Sequence, residues 1–100
     1  MKGFRTYQDS VRFYRLAKGV KVPRHLMDHL LRAAASISLN LAEGYGRASH
    51  DDRRRFYRMA LGSLRECQAA LELAGLQGTD LGGLADRLGG SLYRLCTWHP

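Results

Sequence analysis

Residues 36–57, SISLNLAEGYGRASHDDRRRFY, contain the pattern that decides the fold. An apolar helical pattern through Ile37 and Leu41 stops at a Gly-Tyr-Gly triplet, and a second helical pattern begins after Ser49. Gly44 is expected at the position that follows a helix, where glycine takes the left-handed conformation without Cβ strain. The stretch therefore predicts two helices joined by a tight corner.

A phosphate-binding turn is the alternative interpretation of the same glycines. Such a loop needs a preceding strand, a GxxxxGK[ST] pattern and a helix N-terminus that faces the phosphate. Here a helical pattern precedes the glycines, and no Lys-Ser or Lys-Thr follows them. The corner is favoured, with Ser49 as N-cap of the next helix and Asp51 and Asp52 in its first turn.

The rest of the chain also shows apolar residues at helical spacing. We predict a single domain over residues 1–100 with four helices, at about residues 6–18, 24–43, 50–75 and 80–97. Because the connections are short, consecutive helices should be antiparallel. The predicted fold is an all-α, up-down-up-down four-helix bundle. Its last helix is rich in glycine and should be the weakest unless it docks on the others.

Composition limits the functional classes. The chain has 100 residues, of which 45% are hydrophobic, so a disordered chain is excluded. No apolar run approaches the roughly 18 residues of a membrane span, and the first residues lack the apolar core of a signal peptide. We expect a cytoplasmic protein without membrane contact. Cys67 and Cys96 form no CxxC motif, and two buried thiols are favoured over a disulfide.

The charge of the chain is strongly basic and unevenly distributed. The net charge is +7, with +8 in residues 1–58 and −1 in residues 59–100, and thirteen of the sixteen basic residues are arginine. A one-sided, arginine-rich surface favours polyanions such as nucleic acid. The alternative is a solvated face that only keeps the protein soluble.

The basic residues form two groups along the sequence. The first group surrounds the start of the third helix and consists of Arg47, Arg53, Arg54, Arg55 and Arg58. The second follows the first helix and its loop and consists of Arg12, Arg15, Lys18, Lys21 and Arg24. Four tyrosines could offer stacking faces among them: Tyr7, Tyr14, Tyr45 and Tyr57. Binding to RNA or DNA should be phosphate-directed, salt-sensitive and weakly sequence-specific.

Polar residues interrupt the apolar faces of the second and third helices. They are Arg32, Ser36, Asn40, Glu43, Ser63 and Glu66. Antiparallel packing would place Glu43 near residues 53–58 and Arg32 opposite Glu66. Acid-base chemistry by the two glutamates is the less favoured alternative, since no histidine or cysteine obviously joins them. We predict a structural polar network, no catalytic residue and no cofactor.

His25 and His29 have the i, i+4 spacing that can bind a metal on one helix face. Asp28 is adjacent, but no third ligand is placed by the sequence, and an HExxH motif is absent. Solvated histidines are therefore favoured over a metal site, and no metal is predicted.

The segments LLRAAASISLNLAEGYGRAS (30–49) and FYRMALGSLRECQAAL (56–71) resemble the bacterial four-helix-bundle proteins encoded by intervening sequences in large-subunit ribosomal RNA genes. The family pattern is approximately R-A-x-x-S-I-x-x-N-x-A-E-G, a short turn, then A-x-G-S-x-x-E. It is matched by Arg32, Ala33, Ser36, Ile37, Asn40, Ala42, Glu43, Gly44, Ala60, Gly62, Ser63 and Glu66. The resemblance extends over nearly the whole chain. The same family includes the accessory variability protein of diversity-generating retroelements.

The resemblance implies a protomer that assembles into a homopentameric ring. In the retroelement members, a positively charged ring binds the reverse transcriptase and nucleic acid and assists copying of a template RNA. The motif residues look structural, so the resemblance implies fold and assembly and no catalytic site. The leading hypothesis is a non-enzymatic, nucleic-acid-binding partner of such a reverse transcriptase. The alternative is a structural oligomer that binds an acidic protein or ribosomal RNA without any retroelement role.

Overall fold

The computed structural model describes residues 3–99, which form four helices and no strand. The helices are α1 Phe4–Ala17, α2 Arg24–Tyr45, α3 His50–Leu73 and α4 Asp80–Thr97. This confirms the prediction of an all-helical fold with four helices. The predicted ends differ from the observed ones by two residues at the start of α1 and at the ends of α2 and α3. Within the described residues, no helix is both long and apolar enough to span a membrane.

Each helix packs against two others around one core. The most extensive contact joins α2 to α3. Helix α4 packs on α3, and α1 packs against both α2 and α4. Two stripes of side chains on α3 are buried: one of small residues, which includes Ala60 and Cys67, and one of larger residues, which includes Leu64 and Leu71. A helix with two buried stripes can contact two neighbours, and α3 does so.

The last helix is docked despite its glycines. It runs without interruption from Asp80 to Thr97. Five leucines at helical spacing are buried on its inner face: Leu81, Leu84, Leu88, Leu92 and Leu95. Since burial of one leucine contributes roughly 1.5–3 kcal/mol, these contacts outweigh a glycine penalty of up to about 1 kcal/mol each.

The corner between α2 and α3 differs from the prediction at Gly44. The helix continues through this residue to Tyr45, and Gly46 caps it with an ordinary φ of −79°. The predicted left-handed role of Gly44 is therefore wrong. A Cβ on this buried glycine would lie 2.8 Å from Cε1 of Tyr57, so the residue allows α2 and α3 to approach each other closely. Among the described residues, two glycines are left-handed: Gly3, with φ 86°, just before α1, and Gly75, with φ 74°, just after α3.

The start of α3 is capped as the sequence predicts. Ser49 Oγ accepts a hydrogen bond from the backbone N–H of Asp52 at 3.0 Å. Asp51 and Asp52 lie in the first turn, where the positive end of the helix dipole favours acids. The corner is therefore an ordered connection in which the start of α3 is fixed by its cap.

Candidate nucleic-acid interface

The first group of cations lies where α2 passes into α3. We call Arg47, Arg53, Arg54, Arg55 and Arg58 the corner arginines. The sequence predicts a dense cationic patch here. The structure brings them together at this corner, and it also supplies internal partners for four of them.

Arg47 and Arg55 share a carboxylate and an aromatic ring. Arg47 lies 2.9 Å from Glu43 Oε2 and 3.7 Å from Asp52 Oδ2, and Arg55 lies 3.0 Å from Asp52 Oδ1. Their guanidinium carbons lie 4.7 and 4.4 Å from the centroid of the Phe56 ring. The nearby carboxylates offset much of the positive potential that these two arginines would otherwise project.

Arg53 and Arg54 bind backbone and histidine atoms. Arg53 Nε donates to the carbonyl oxygen of Arg47 at 2.8 Å. Arg54 Nη2 lies 3.3 Å from the carbonyl oxygen of Trp98 and 3.2 Å from His99 Nδ1, and it also contacts His50 Nε2. Arg54 therefore ties the start of α3 to the residues that follow α4.

Arg58 is the exception among the corner arginines. It is exposed, and no hydrogen bond or ion pair engages its side chain within residues 3–99. Burial raises the pKa of the Cys96 thiol, and the charges of Arg58 and Arg54 oppose that rise. Arg58 is thus the corner arginine with the most freedom to bind an external anion.

The second group of cations follows α1 and the loop to α2. We call Arg12, Arg15, Lys18, Lys21 and Arg24 the helix-1 strip. All five are exposed, and in the part of the chain that the structure describes none forms an ion pair with a carboxylate. Lys18 Nζ lies 5.4 Å from the Tyr14 ring centroid, a contact within one helix turn. The strip therefore presents five cations without internal neutralisation.

The two groups lie at opposite ends of the molecule. Arg54 reaches the residues after the end of α4, whereas Arg12 lines a groove with Thr79 and Asp80, at the start of α4. A helix of 18 residues is about 27 Å long, and the longest dimension of the molecule is 41 Å. The two groups of cations are therefore far apart in space.

The polar residues of α2 and α3 form one compact cluster. Ser36 Oγ and Ser63 Oγ are 2.8 Å apart, and Asn40 Nδ2 donates to the carbonyl and hydroxyl oxygens of Ser36 at 2.9 and 3.0 Å. Glu43 does not join them. It is exposed and pairs with Arg47 instead, which lies just after the end of α2 and is held nearby by a turn in which its N–H donates to the carbonyl oxygen of Gly44.

Arg32 and Glu66 border a small groove beside that cluster. The groove has a volume of about 200 Å³ and is also lined by His29, Ser36 and Ser63. No ion pair joins Arg32 to Glu66 within residues 3–99. Glu43 lies about 16 Å along α2 from Arg32, so the structure does not bring the two glutamates to one site.

His25 and His29 are both exposed on α2. Across the described residues, no group of three or more His, Cys, Asp or Glu side chains is placed to hold a metal ion. The two cysteines are free and buried, and Cys67 Sγ lies 3.8 Å from the carbonyl oxygen of Leu30. Burial, with a smaller contribution from the charge of Glu66, raises the pKa of Cys67 to about 12, so its thiol is a poor nucleophile.

Three of the four tyrosines proposed for stacking pack against one another. Tyr45 makes edge-to-face contacts with Tyr7 and Tyr57, each with ring centroids 6.2 Å apart, and its hydroxyl donates to the carbonyl oxygen of Gly3. Burial, followed by the neighbouring Tyr57, raises the pKa of Tyr45 to about 12. These three rings support the core near the corner, and only Tyr14 lies beside the helix-1 strip.

The structure also places residues together that the sequence interpretation missed. Ser10 and Ser38 Oγ atoms are 2.8 Å apart and join α1 to α2. Arg5, Arg94 and Trp98 line a groove between the start of α1 and the end of α4. Arg94 lies in the last turn of α4, and Trp98 follows the end of that helix. Nothing in the sequence indicates that Arg5 lies opposite them.

Four helices around one core, with cations at both ends, define a basic protein of the four-helix-bundle class. The chain belongs to the 23S rRNA-intervening sequence protein family, whose sequence model matches residues 2–79. The match ends immediately before α4, so it covers less of the chain than the resemblance suggests. No curated protein and no solved structure matches the chain significantly.

Proposed function

We propose that this protein is a non-enzymatic, oligomeric accessory protein of the cytoplasm that binds nucleic acid through phosphates. The observation that carries the proposal is the helix-1 strip, with five exposed cations and no ion pair within residues 3–99. Unpaired cations release the counterions of a phosphate backbone without first losing an internal partner. Arg58 at the other end adds a sixth cation of the same kind.

The proposed helix order is up-down-up-down. Leu30 contacts Cys67, Ser36 contacts Ser63, and Gly44 lies against Tyr57. Residue numbers rise along α2 as they fall along α3, which is the arrangement of antiparallel neighbours. In this order the helix-1 strip and the corner lie at opposite ends, so one protomer offers nucleic acid two separate contacts.

Assembly into a ring of five copies is the oligomeric state that we propose. Family membership supports it, and so do large apolar side chains on the outer surface of α2 and α3. Leu39 and Leu73 are 69% and 75% exposed, and Met59 is 40% exposed. A chain of 100 residues gains extra burial by self-association. Native mass spectrometry tests the ring, and a monomer at micromolar concentration would contradict it.

The partner that we propose is the reverse transcriptase of a diversity-generating retroelement, whose template RNA the protein would help to copy. The support is the motif shared with the retroelement members of the family. Co-purification of this protein with a reverse transcriptase encoded beside its gene tests the partnership. If no such gene lies nearby, the retroelement role is contradicted while the nucleic-acid proposal stands.

A binding titration tests the nucleic-acid proposal directly. A labelled 20-nucleotide RNA and a 20-base-pair RNA–DNA hybrid are titrated with the protein at 50 and 200 mM salt, and anisotropy is followed. We expect affinity to fall steeply with salt, as phosphate contacts require. Arg15→Glu should weaken binding about tenfold, whereas Arg65→Glu, an equal charge change on α3, should have little effect. No binding at 50 mM salt would overturn the proposal.

A second candidate function is a structural oligomer of the ribosomal-insert type, with an acidic protein or ribosomal RNA as partner. The family description, 23S rRNA-intervening sequence protein, favours it. With an acidic protein as partner, charge reversal at Arg54 and Arg58 leaves nucleic-acid affinity and assembly unchanged. Under the leading proposal, reversal at Arg58 weakens RNA binding with assembly intact.

A further inference from the structure

A groove between the two ends of the chain combines cations with an aromatic ring. It has a volume of about 520 Å³ and lies between the start of α1 and the end of α4. Its lining includes Arg5, Thr6, Ser91, Arg94, Thr97 and Trp98. Volumes of roughly 300–1,000 Å³ are typical of sites for small organic ligands. The groove is therefore large enough to take more than a simple ion.

The two arginines of the groove lie on different helices. Arg5 and Arg94 are exposed, and no ion pair engages either of them within residues 3–99. Arg94 Nη2 donates to Ser91 Oγ at 3.3 Å, one turn earlier on α4. That bond leaves the other donors of the planar guanidinium group for a ligand. Two such groups at one groove are suited to phosphate oxygens.

Trp98 supplies the apolar surface of the groove. Trp98 is 37% exposed, and its ring centroid lies 5.3 Å from that of His50, at the corner. An indole with an accessible surface is a stacking platform for a nucleobase. Cation and stacking surface thus occur together, whereas the helix-1 strip consists mainly of cations.

We propose that this groove binds one nucleotide, with the base stacked on Trp98 and the phosphate between Arg5 and Arg94. The nucleotide can belong to a single strand or be free, because both present the same base and phosphate. The strand form rests on the proposed function. A duplex is a poor ligand, since its bases are already stacked on one another. Arg94 and Trp98 lie beyond residues 2–79, so family membership does not account for this site.

The chain carries its own reporter for this site. Trp98 is the single tryptophan of the protein, so tryptophan emission reports on the surroundings of this one ring, which lines the groove and contacts His50. The full chain is titrated with an eight-nucleotide oligouridylate, a hairpin duplex of the same phosphate number, and uridine monophosphate. We expect the single strand and the free nucleotide to quench the emission, and the duplex to change it much less.

Variants with matched controls locate the contacts. Arg94→Ala should weaken the affinity for the single strand about tenfold and leave duplex affinity unchanged. Arg65→Ala, which removes an exposed arginine from α3, is the charge control. Trp98→Ala should weaken single-strand binding, measured by anisotropy, about tenfold, while Tyr93→Ala should not. Tyr93 is also aromatic and exposed on α4, but it does not line the groove.

The outcomes separate the groove from the wider function. If the strand binds without a change in emission and Arg94→Ala behaves like Arg65→Ala, the groove proposal is overturned and the nucleic-acid proposal stands. If no nucleic acid binds but uridine monophosphate quenches emission in an Arg94-dependent way, the groove is supported and the nucleic-acid proposal fails. If neither ligand has any effect, both are overturned.

Discussion

The corner arginines and the helix-1 strip each contain five cations, yet their surroundings differ. Arg47 and Arg55 face carboxylates at 2.9–3.7 Å and stack on Phe56. Arg54 donates to the carbonyl oxygen of Trp98. The helix-1 strip has no ion pair within residues 3–99. The corner therefore pairs two of its five charges with carboxylates and ties two more arginines to neutral acceptors, whereas the strip keeps its charge for solvent or a partner.

This difference shows why a count of arginines does not measure positive potential. An arginine beside a carboxylate contributes little net field, and an external phosphate must compete with that carboxylate. An exposed lysine or arginine without a partner only gives up water and counterions. The denser run of arginines is thus the weaker candidate for nucleic-acid contact. Variants at the two groups test whether the corner is structural and the strip functional.

The largest expected effect concerns the close packing of the corner. In Gly44→Ala, the new Cβ would lie 2.8 Å from Tyr57 Cε1 and 3.3 Å from Phe56 Cβ. Overpacking of this kind costs roughly 1–3 kcal/mol. The control is Gly62→Ala, since no atom lies within 4 Å of a Cβ at this helical position. There, alanine should raise the free energy of unfolding by up to about 1 kcal/mol. Urea unfolding should show free energies of unfolding that differ by about 2 kcal/mol between the two variants, and equal stabilities would contradict the packing role of Gly44.

The next effect concerns RNA affinity. We expect Arg12→Ala with Arg15→Ala to weaken binding about tenfold and to reduce the salt slope by about 2, because two phosphate contacts are lost. Arg47→Ala with Arg55→Ala removes the same charge but should weaken binding less than about threefold. Anisotropy titrations between 50 and 200 mM salt measure both. A larger loss in the corner variant would reverse the assignment of the two groups.

For stability, the same contrast predicts that substitution of a corner arginine costs more than substitution of an arginine in the helix-1 strip. Arg47→Ala removes ion pairs with Glu43 and Asp52 and the stacking on Phe56. The expected loss in free energy of unfolding is about 1 kcal/mol. Arg15→Ala should change stability by less than about 0.5 kcal/mol. Similar unfolding midpoints for the two variants would show that the corner contacts have little structural value.

The smallest effect is a pH dependence at the corner. The pKa of Tyr45 is raised to about 12 in the folded protein, so the unfolded chain loses this proton first as pH rises. The contribution of Tyr45 is therefore complete below pH about 10 and is lost between about 10 and 12. Between pH 8 and 11, Tyr45→Phe should lose less stability than the parent protein. Tyr93→Phe, at an exposed position, should follow the parent.

Local patterns along the chain predicted much of this molecule. Ser49 and Asp52 form the expected cap because capping needs only neighbouring residues. The four helices follow from apolar spacing and from the short breaks between the apolar segments. The pattern at Gly44 predicts a helix end there, whereas the residue instead allows close packing of α2 on α3. A helix end and a close approach between helices both favour glycine, and sequence spacing does not distinguish them.

Pairing between distant residues was predictable only in part. An antiparallel arrangement places Ser36 near Ser63, as observed. It does not show that Glu43 pairs with Arg47, four residues later in the sequence, and not with residues 53–58. Arg47 is favoured because the turn that ends α2 already holds it close to Glu43. The groove between Arg5 and Trp98 joins residues 93 positions apart, and no local signal reports it.

The sequence by itself determined the helices, their caps, the basic character of the chain and its family. These properties depend on residue type and on spacing within a few turns. The tertiary structure alone decided which cations are neutralised, how far apart the two basic groups lie, and that α1 and α4 form a groove. Those outcomes depend on distances between residues far apart in the chain, and electrostatic interactions depend on such distances.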